Sequence, residues 1–473
     1  MRCVWASYGS GLIIAGLSLG SCAPVGPDYA KPNAPVPAQY KEIKGWKLGE
    51  PHDYLDKGDW WTVFGDAELN RLEPQVAISN QTIKADEANY REAQSLIAQA
   101  RASLFPDLTL DGSATRSGTG TGGGKSTATS TGSLTANASW DLDVWGSVRR
   151  TIESKEAGAE VSAADLANAR LSAQSSLATA YFELRETDSL HDLLADTVKQ
   201  YQHSLDITQN QYKAGTTARS DVITAQAQLL SAQAQEINTE VARRQFEHAI
   251  AVLTGKPPAE LSIPHGALAH NIPNVPPRLP STLLERRPDI VAAERAMKEE
   301  NALIGVAMAA YYPDISLSGA LGVTGTTAKA SPANPAWSIG LSMAQTIFNG
   351  GLTEAQVAGA KATYEASVAT YRQTVLTAFQ QVEDELAAMR ILAAQEKVQI
   401  EAVTAARQAV QIALNEYQAG TQNFTTVVTA ETTALSDEES ALTTREQRYL
   451  ASVSLIVALG GGWNASKLPT EGQ

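Results

Sequence analysis

The sequence predicts a mainly α-helical chain with a small membrane β-barrel, built as a homotrimer in which four strands per chain close a 12-stranded barrel. Two observations carry this expectation. The chain repeats itself: Pro106 and Pro313 stand 207 positions apart, and Gly215 and Gly420 stand 205 apart. A near-constant offset across unlike elements marks a duplication. Each copy also sets two short alternating segments among very long helical stretches. Four strands leave two open edges, which lipid excludes, and known barrels need at least about eight strands. Two chains would supply eight, but a barrel of that size is filled by its own side chains. Three chains supply enough for a conduit.

Composition narrows the class. The 473 residues carry a formal charge of -14, which argues against nucleic acid and its need for clustered Lys and Arg. The same charge suits a solvated acidic surface or a cation-tolerant lumen. Aromatics are 6% of the chain, while Ala, Gln, Ser and Thr abound. Long, closely packed helices follow from that composition more readily than one bulky core.

The N-terminus is a targeting segment. Arg2 gives a positive start, and Leu12 to Leu19 form an apolar run too short to span a bilayer as a helix. Leu19-Gly20-Ser21-Cys22 then looks like the processing signal of a bacterial lipoprotein. Residues 1–21 are expected to be removed and Cys22 to be lipidated; an ordinary secretory signal is the alternative. Ala23 occupies the sorting position and points outward rather than to inner-membrane retention. Cys3 would leave with the signal, so Cys22 would be the sole mature cysteine, and no disulfide or thiolate metal site could form within one chain.

Residues 22–66 are expected as an extended Pro-rich tether and equatorial segment, with Trp60, Trp61 and Phe64 as a packing anchor. The first repeat spans 67–255. It opens with a helix from Ala67 to Leu104 broken near Pro74, then a strand from Leu108 to Thr115. The Gly/Ser/Thr run Ser117–Gly132 reads as a loop, and Leu134, Ala136, Ala138, Trp140 and Leu142 as one face of a second strand. Helix follows from Ser147 to Ala214, about 100 Å at 1.5 Å per residue, and again from Ser220 to Thr254. A Pro-rich equatorial linker covers 256–282. The second repeat, 283–460, brings strands near Ile315–Val323 and Trp337–Ile347 and helices over Leu352–Gln418 and Thr425–Leu459. Residues 461–473 form a tail. Each shorter helix is about half a long one, so two stacked end to end would match it. The Pro-rich segments would then form a girdle, the strands one end and the Gly215 and Gly420 turns the other.

Three seams at spacings of four and three are expected to be buried. They are Ile223, Ala227, Leu230, Ala234, Ile237 and Val241; Val368, Tyr371, Val375, Ala378 and Val382; and Val403, Ala406, Val410, Ala413 and Tyr417. The strands have the length and alternation of membrane strands, with Thr324–Pro335 as a second Gly-rich outer loop. Trp140, Trp145, Trp337 and Phe348 flank them, as membrane-interface aromatics do.

With these residues assembled, the chain resembles the TolC-like outer membrane efflux proteins, in particular NodT-type lipoproteins. The likeness runs from Trp60-Trp61 to the closing glycines. It rests on the lipoprotein signal, on Phe64 and Asp66, on Leu284-Glu285-Arg286-Arg287-Pro288-Asp289-Ile290 with Ala293-Glu294, and on the paired Tyr-x-Ala-Gly-Thr turns. The resemblance implies a passive channel of a tripartite efflux system, placed in the outer membrane of a Gram-negative bacterium and extending into the periplasm as a long helical tunnel. It implies a periplasmic adaptor and an inner-membrane pump of the resistance-nodulation-division type as partners, with drugs, toxic compounds or metal ions as cargo. Gly215, Thr216, Asp221, Gly420 and Thr421 would mark the periplasmic tip where the adaptor docks. From the residues alone, the two glycines reverse the chain after helices and Asp221 is a helix cap. Thr426 stands where the family often has a second Asp, which weakens a symmetric acidic gate.

No catalytic, cofactor or metal constellation is expected. The six histidines are scattered, with His191 and His203 expected as exposed helix residues. Thr119–Ser126 is Gly-rich, but no helix follows it as a phosphate loop requires. An exit duct for protein secretion shares the fold; a trimeric surface adhesin would not need duplicated strand pairs.

Overall fold

A computed structural model describes residues 23–42, 58–119, 127–273, 286–326 and 334–467. The signal segment, Cys22, Leu284-Glu285 and the middles of both Gly-rich loops lie outside the described residues.

The duplication is written in element lengths. After α1 (Ala67–Ser79) come α2 (Gln81–Ala102) and its counterpart α5 (Pro288–Ala309), of 22 residues each. Strands β1 (Asp107–Thr119) and β3 (Asp314–Thr326) have 13 each; β2 (Thr127–Asp141) has 15 and β4 (Asn334–Ala344) has 11. Helices α3 (Ser147–Lys213) and α6 (Leu352–Gln418) have 67 each, and α4 (Arg219–Leu253) and α7 (Phe424–Ala458) have 35 each. The described residues form two compact units, each discontinuous in sequence: those within 1–29, 96–155 and 299–364 in one, the other described residues in the second.

In the first unit all four strands pair antiparallel in the order β1-β2-β3-β4. The Ser117–Gly132 loop is shorter than expected. Ser117, Gly118 and Thr119 pair with Thr129, Ala128 and Thr127, because small and β-branched Ser/Thr residues fit a ladder. Strand β4 ends at Ala344 rather than Ile347. Its last partner is Asp314, and Pro313 before it has no N–H to extend the ladder.

In the second unit Trp60 and Trp61 are buried in a short 3₁₀ turn, as expected of an anchor. Phe64 packs against Phe182 at 4.9 Å, and Phe182 against Tyr449 at 4.6 Å. Asp66 caps α1, accepting from Glu68 N and Leu69 N at 2.9 Å, and also accepts the Tyr181 hydroxyl at 2.7 Å. The expected break at Pro74 falls instead at Asn80. Pro74 is carried inside α1, while the Asn80 side chain caps α2 through Thr82 N and Ile83 N and donates to Leu253 O at 2.9 Å. Buried Arg287 grips Asp289, Gln381 and the Ala458 carbonyl, which gives the Arg-Arg-Pro-Asp segment its structural role.

Two of the three seams are buried. Tyr371, Val375, Ala378 and Val382 are fully covered, and Ala406, Val410, Ala413 and Tyr417 nearly so. The third is not. Helix α4 buries Ala225, Leu229, Ala232 and Thr239 instead, and leaves Ile223, Leu230, Ile237 and Val241 exposed. Both faces of α4 carry a four-three spacing, so periodicity alone could not choose between them. Residues 23–42 of the tether are extended, and most of them are exposed. In the second unit Tyr40 is buried, and Lys41 N and Glu42 N donate to the Glu383 carboxylate at 2.6 and 2.9 Å.

Candidate functional site: the four-stranded sheet and the paired turns

Register sorts the sheet into two chemically opposite faces. Leu134 faces Val323, Ala136 faces Leu321, and Leu321 in turn faces Trp337. Ile315 pairs with Met343, Leu317 with Leu341, and Leu108 with Ala138. Successive side chains alternate sides, so all of these share one apolar face. That face is bare in the single chain: Trp337 is 77% exposed and Leu341 70%. The other face is Ser, Thr, Asn and Asp, tied by its own side chains. Ser113 and Ser133 meet at 2.8 Å, Ser316 and Ser342 at 2.7 Å, and Asn137 donates to Asp111 at 2.7 Å. Among the described residues β1 and β4 each have one neighbour only, which leaves a row of unpaired backbone groups on both edges.

The four flanking aromatics divide into two pairs. Trp140 and Trp145 are half-buried and pinned, donating to the carbonyls of Leu104 at 3.0 Å and Pro313 at 2.8 Å; Trp145 also stacks on Tyr312. Trp337 lies in the first half of β4 and Phe348 four residues past its end; both are exposed, Phe348 at 89%.

The turns after α3 and α6 are near copies. Gly215 and Gly420 have φ of 74° and 73°, a left-handed conformation that only glycine adopts without strain. Thr216 N donates to Gln211 O and Thr421 N to Glu416 O, closing the same six-residue motif over the orphan carbonyls. The turns touch each other through Gln211, Tyr417 and Thr217. Beneath them Tyr201, Leu205, Leu229, Tyr417, Phe424 and Val427 form a core cluster. The repeat is broken at this core: Tyr417 is buried, whereas its counterpart Tyr212 is exposed. Asp221 is not the helix cap. Ala218 holds that position, and the Asp221 carboxylate accepts the hydroxyls of Thr217 at 2.6 Å and Ser220 at 3.3 Å. In the second copy Asn423 is a true side-chain cap, bonding Thr426 N.

Several polar residues were missed by sequence reasoning because isolated charges on a long helix look solvated. Asp188 is fully buried and accepts from Arg243 Nε at 2.7 Å, Arg185 Nη1 at 3.2 Å and Gly266 N at 3.0 Å. Glu431 is buried and bound by Ser204 Oγ at 2.5 Å; burial pushes its carboxyl up to about 7, against the opposing hydrogen bond. Glu186 is also raised to about 7, by burial and then by Glu446, Glu183 and Glu439. His191 is half-buried beside Thr239 Oγ1 at 3.3 Å rather than exposed; His203 is exposed. Among the described residues no helix is long and apolar enough to cross a membrane, and no three His, Cys, Asp or Glu side chains could hold a metal ion.

Comparison with known proteins places this geometry. The family described as "Outer membrane efflux protein" matches residues 72–256 and 279–461. Nodulation protein T of Rhizobium leguminosarum bv. trifolii is 30% identical, over 95% of this chain and 96% of that protein. The antibiotic efflux pump outer membrane protein ArpC of Pseudomonas putida is 29% identical, over 96% and 95%. The solved outer-membrane channel OprN superimposes with a TM-score of 0.85 at 30% identity, covering 93% of this chain and 99% of that one. The fold class expected from the sequence therefore stands: a mainly α chain that carries four strands, as in the trimeric channels it matches.

Proposed function

This chain belongs to the outer membrane efflux protein family, and we propose that three copies form a passive exit channel fed by an inner-membrane pump through a periplasmic adaptor. The observation that carries the reading is the sheet: an apolar face bare in the single chain, a polar face bonded to itself, and two open edges. Strands from two further copies would pair both edges and close twelve strands, with the apolar face to lipid and the Ser/Thr face to the lumen. Trp337 and Phe348 then sit at the two membrane interfaces, with Trp140 and Trp145 fixing the strand ends. The exposed stripe on α4 gives the helical part its own contact with a neighbouring copy.

On this reading residues 1–21 are removed and Cys22 carries the acyl chains. Residues 22–66 and 256–282 are equatorial, 67–255 and 283–460 are the two repeats, and 461–473 form the tail. The paired turns at Gly215, Thr216, Asp221, Gly420 and Thr421 are the adaptor-docking tip. The pump is of the resistance-nodulation-division type. No catalytic step is assigned to the chain, so the pump supplies the energy. The cargo is small molecules, among drugs, toxic compounds and metal ions; the name of ArpC supports the first.

The test is crosslinked affinity purification from native membranes with partners identified by mass spectrometry. Recovery of an adaptor and a pump of that type supports the proposal. Recovery of a protein-secretion exporter would move the assignment to a secretion duct. Trimer alone, despite efficient crosslinking, would refute the tripartite reading.

A further inference from the structure

The chain's own N-terminal residues lie in a groove cut for them. Val25 N donates to Trp145 O at 2.9 Å. Arg150, 3% exposed, donates to Val25 O at 3.1 Å, Gly26 O at 3.2 Å and Asp28 Oδ1 at 2.8 Å, and its remaining nitrogen to Glu153 at 2.7 Å. From the second repeat, Asn301 Nδ2 donates to Pro27 O at 2.9 Å. The groove has no room for side chains. A Cβ on Gly305 would lie 2.8 Å from both Val25 O and the Arg150 side chain, and one on Gly26 would lie 2.5 Å from the Gly305 Cα. Gly146 meets Pro24 as closely.

Three segments distant in sequence thus leave out their side chains or aim donors at one strap. A free tether would need none of this. A guanidinium buried to this degree without its acceptors would be strongly unfavourable.

We propose that Arg150, Asn301 and Gly305 form a docking site for the mature N-terminus, which pins the anchor-bearing segment beside Trp145 and stitches the first repeat to the second. Cys22 stands three residues before Val25, a reach of at most about 11 Å. The acyl chains are therefore confined to the neighbourhood of Trp145 instead of roaming on a long leash. This last consequence rests on the lipidation of Cys22; the docking does not.

The test uses the full-length protein expressed in a Gram-negative outer membrane. Residue-resolved hydrogen exchange is read at the Val25 amide, with the Thr216 and Thr421 amides as controls for an intact second unit. Arg150→Ala and, independently, Gly305→Val are expected to accelerate Val25 exchange by at least about tenfold and to expose residues 23–29 to protease, with the controls unchanged. Cys22→Ser is expected to leave Val25 protected. Unchanged Val25 exchange in both groove variants would overturn the proposal, as would release of the strap by Cys22→Ser alone, since the acyl chains would then be what holds it. Intact mass of the wild-type protein reports lipidation separately: absence of the acyl mass refutes the anchor and leaves the docking result to stand on its own.

Discussion

Tyr417 ties the two turns together from both ends of its residue. Its hydroxyl donates to Thr217 Oγ1 at 3.2 Å, and its carbonyl accepts from Gln211 Nε2 at 3.2 Å. Its ring packs on Phe424 at 5.2 Å. The two replacements separate these contributions. Tyr417→Phe removes the hydroxyl bond and is expected to cost about 1 kcal/mol. Tyr417→Ala also opens a cavity in the cluster and is expected to cost about 3–5 kcal/mol. Amide exchange at Thr216 and Thr421 measures both. Equal effects would mean that packing contributes nothing to joining the turns.

Gly215 and Gly420 carry their left-handed backbone in open space, since a Cβ at either would meet nothing within 4 Å. The penalty for Ala there is conformational alone, about 1–2 kcal/mol at each site. Asn tolerates this region better and is expected to cost less. Unfolding of Gly215→Ala, Gly420→Ala and the two Asn variants should follow that order at both turns. An Ala variant as stable as wild type would show that the turns accept another conformation.

Glu431 makes the helical unit sensitive to pH. Burial lifts its carboxyl from an ordinary 4.5 to about 7, although Ser204 partly opposes this. The folded chain therefore holds the proton more tightly than the unfolded chain. Its stabilising contribution is complete below about pH 4.5 and is lost as pH rises through about 7. Glu186 shifts in the same direction and adds to the slope. Glu431→Gln resembles the protonated form. It is expected to be more stable than wild type at pH 8 and to flatten the decline between pH 5 and 7, in denaturation series at each pH.

Much of this was legible in the chain itself, and what was hidden has a common cause. Element order and the two turns follow from local chemistry: glycines after helices, alternation in strands, the 205-residue echo. The buried seams at Tyr371–Val382 and Ala406–Tyr417 follow from period. The exposed side of α4 does not, because Ala225, Leu229 and Ala232 offer a second stripe at the same spacing. The choice depends on which helices neighbour α4. The same holds for Asp188, Glu431 and Arg150. Each is one charge on a helix with ample polar company, and only tertiary packing takes it out of water. Asp221 looked like a cap because carboxylates suit helix starts, yet the cap position falls three residues earlier at Ala218 and the helix begins at Arg219.

The sheet predicts opposite responses from adjacent faces. Leu341 lies on the apolar face of edge strand β4, and Ser338 on its polar face. If the apolar face meets lipid, Leu341→Arg should cost about 2–4 kcal/mol near the bilayer centre and sharply reduce the folded, heat-modifiable form in outer membranes. Ser338→Arg should leave that yield close to wild type and alter conductance instead. Equal tolerance of both substitutions would contradict the assignment of faces.

The exposed stripe of α4 supplies the remaining test of self-association. Ile237 is 73% exposed, whereas its counterpart 205 positions on, Leu442, is buried. Leu230 and Leu435 differ in the same sense, as do Ile223 and Val428. One repeat thus covers within the chain a face that the other leaves bare, and a bare face of this size calls for an external cover. A neighbouring copy, offering its own second repeat, supplies one of matching period. Leu230→Glu with Ile237→Glu is therefore expected to shift the purified protein from trimer to monomer, read by size exclusion with light scattering. Helicity by circular dichroism should be unchanged, because these side chains make little contact within their own chain. A fully trimeric double variant would assign the stripe to another partner.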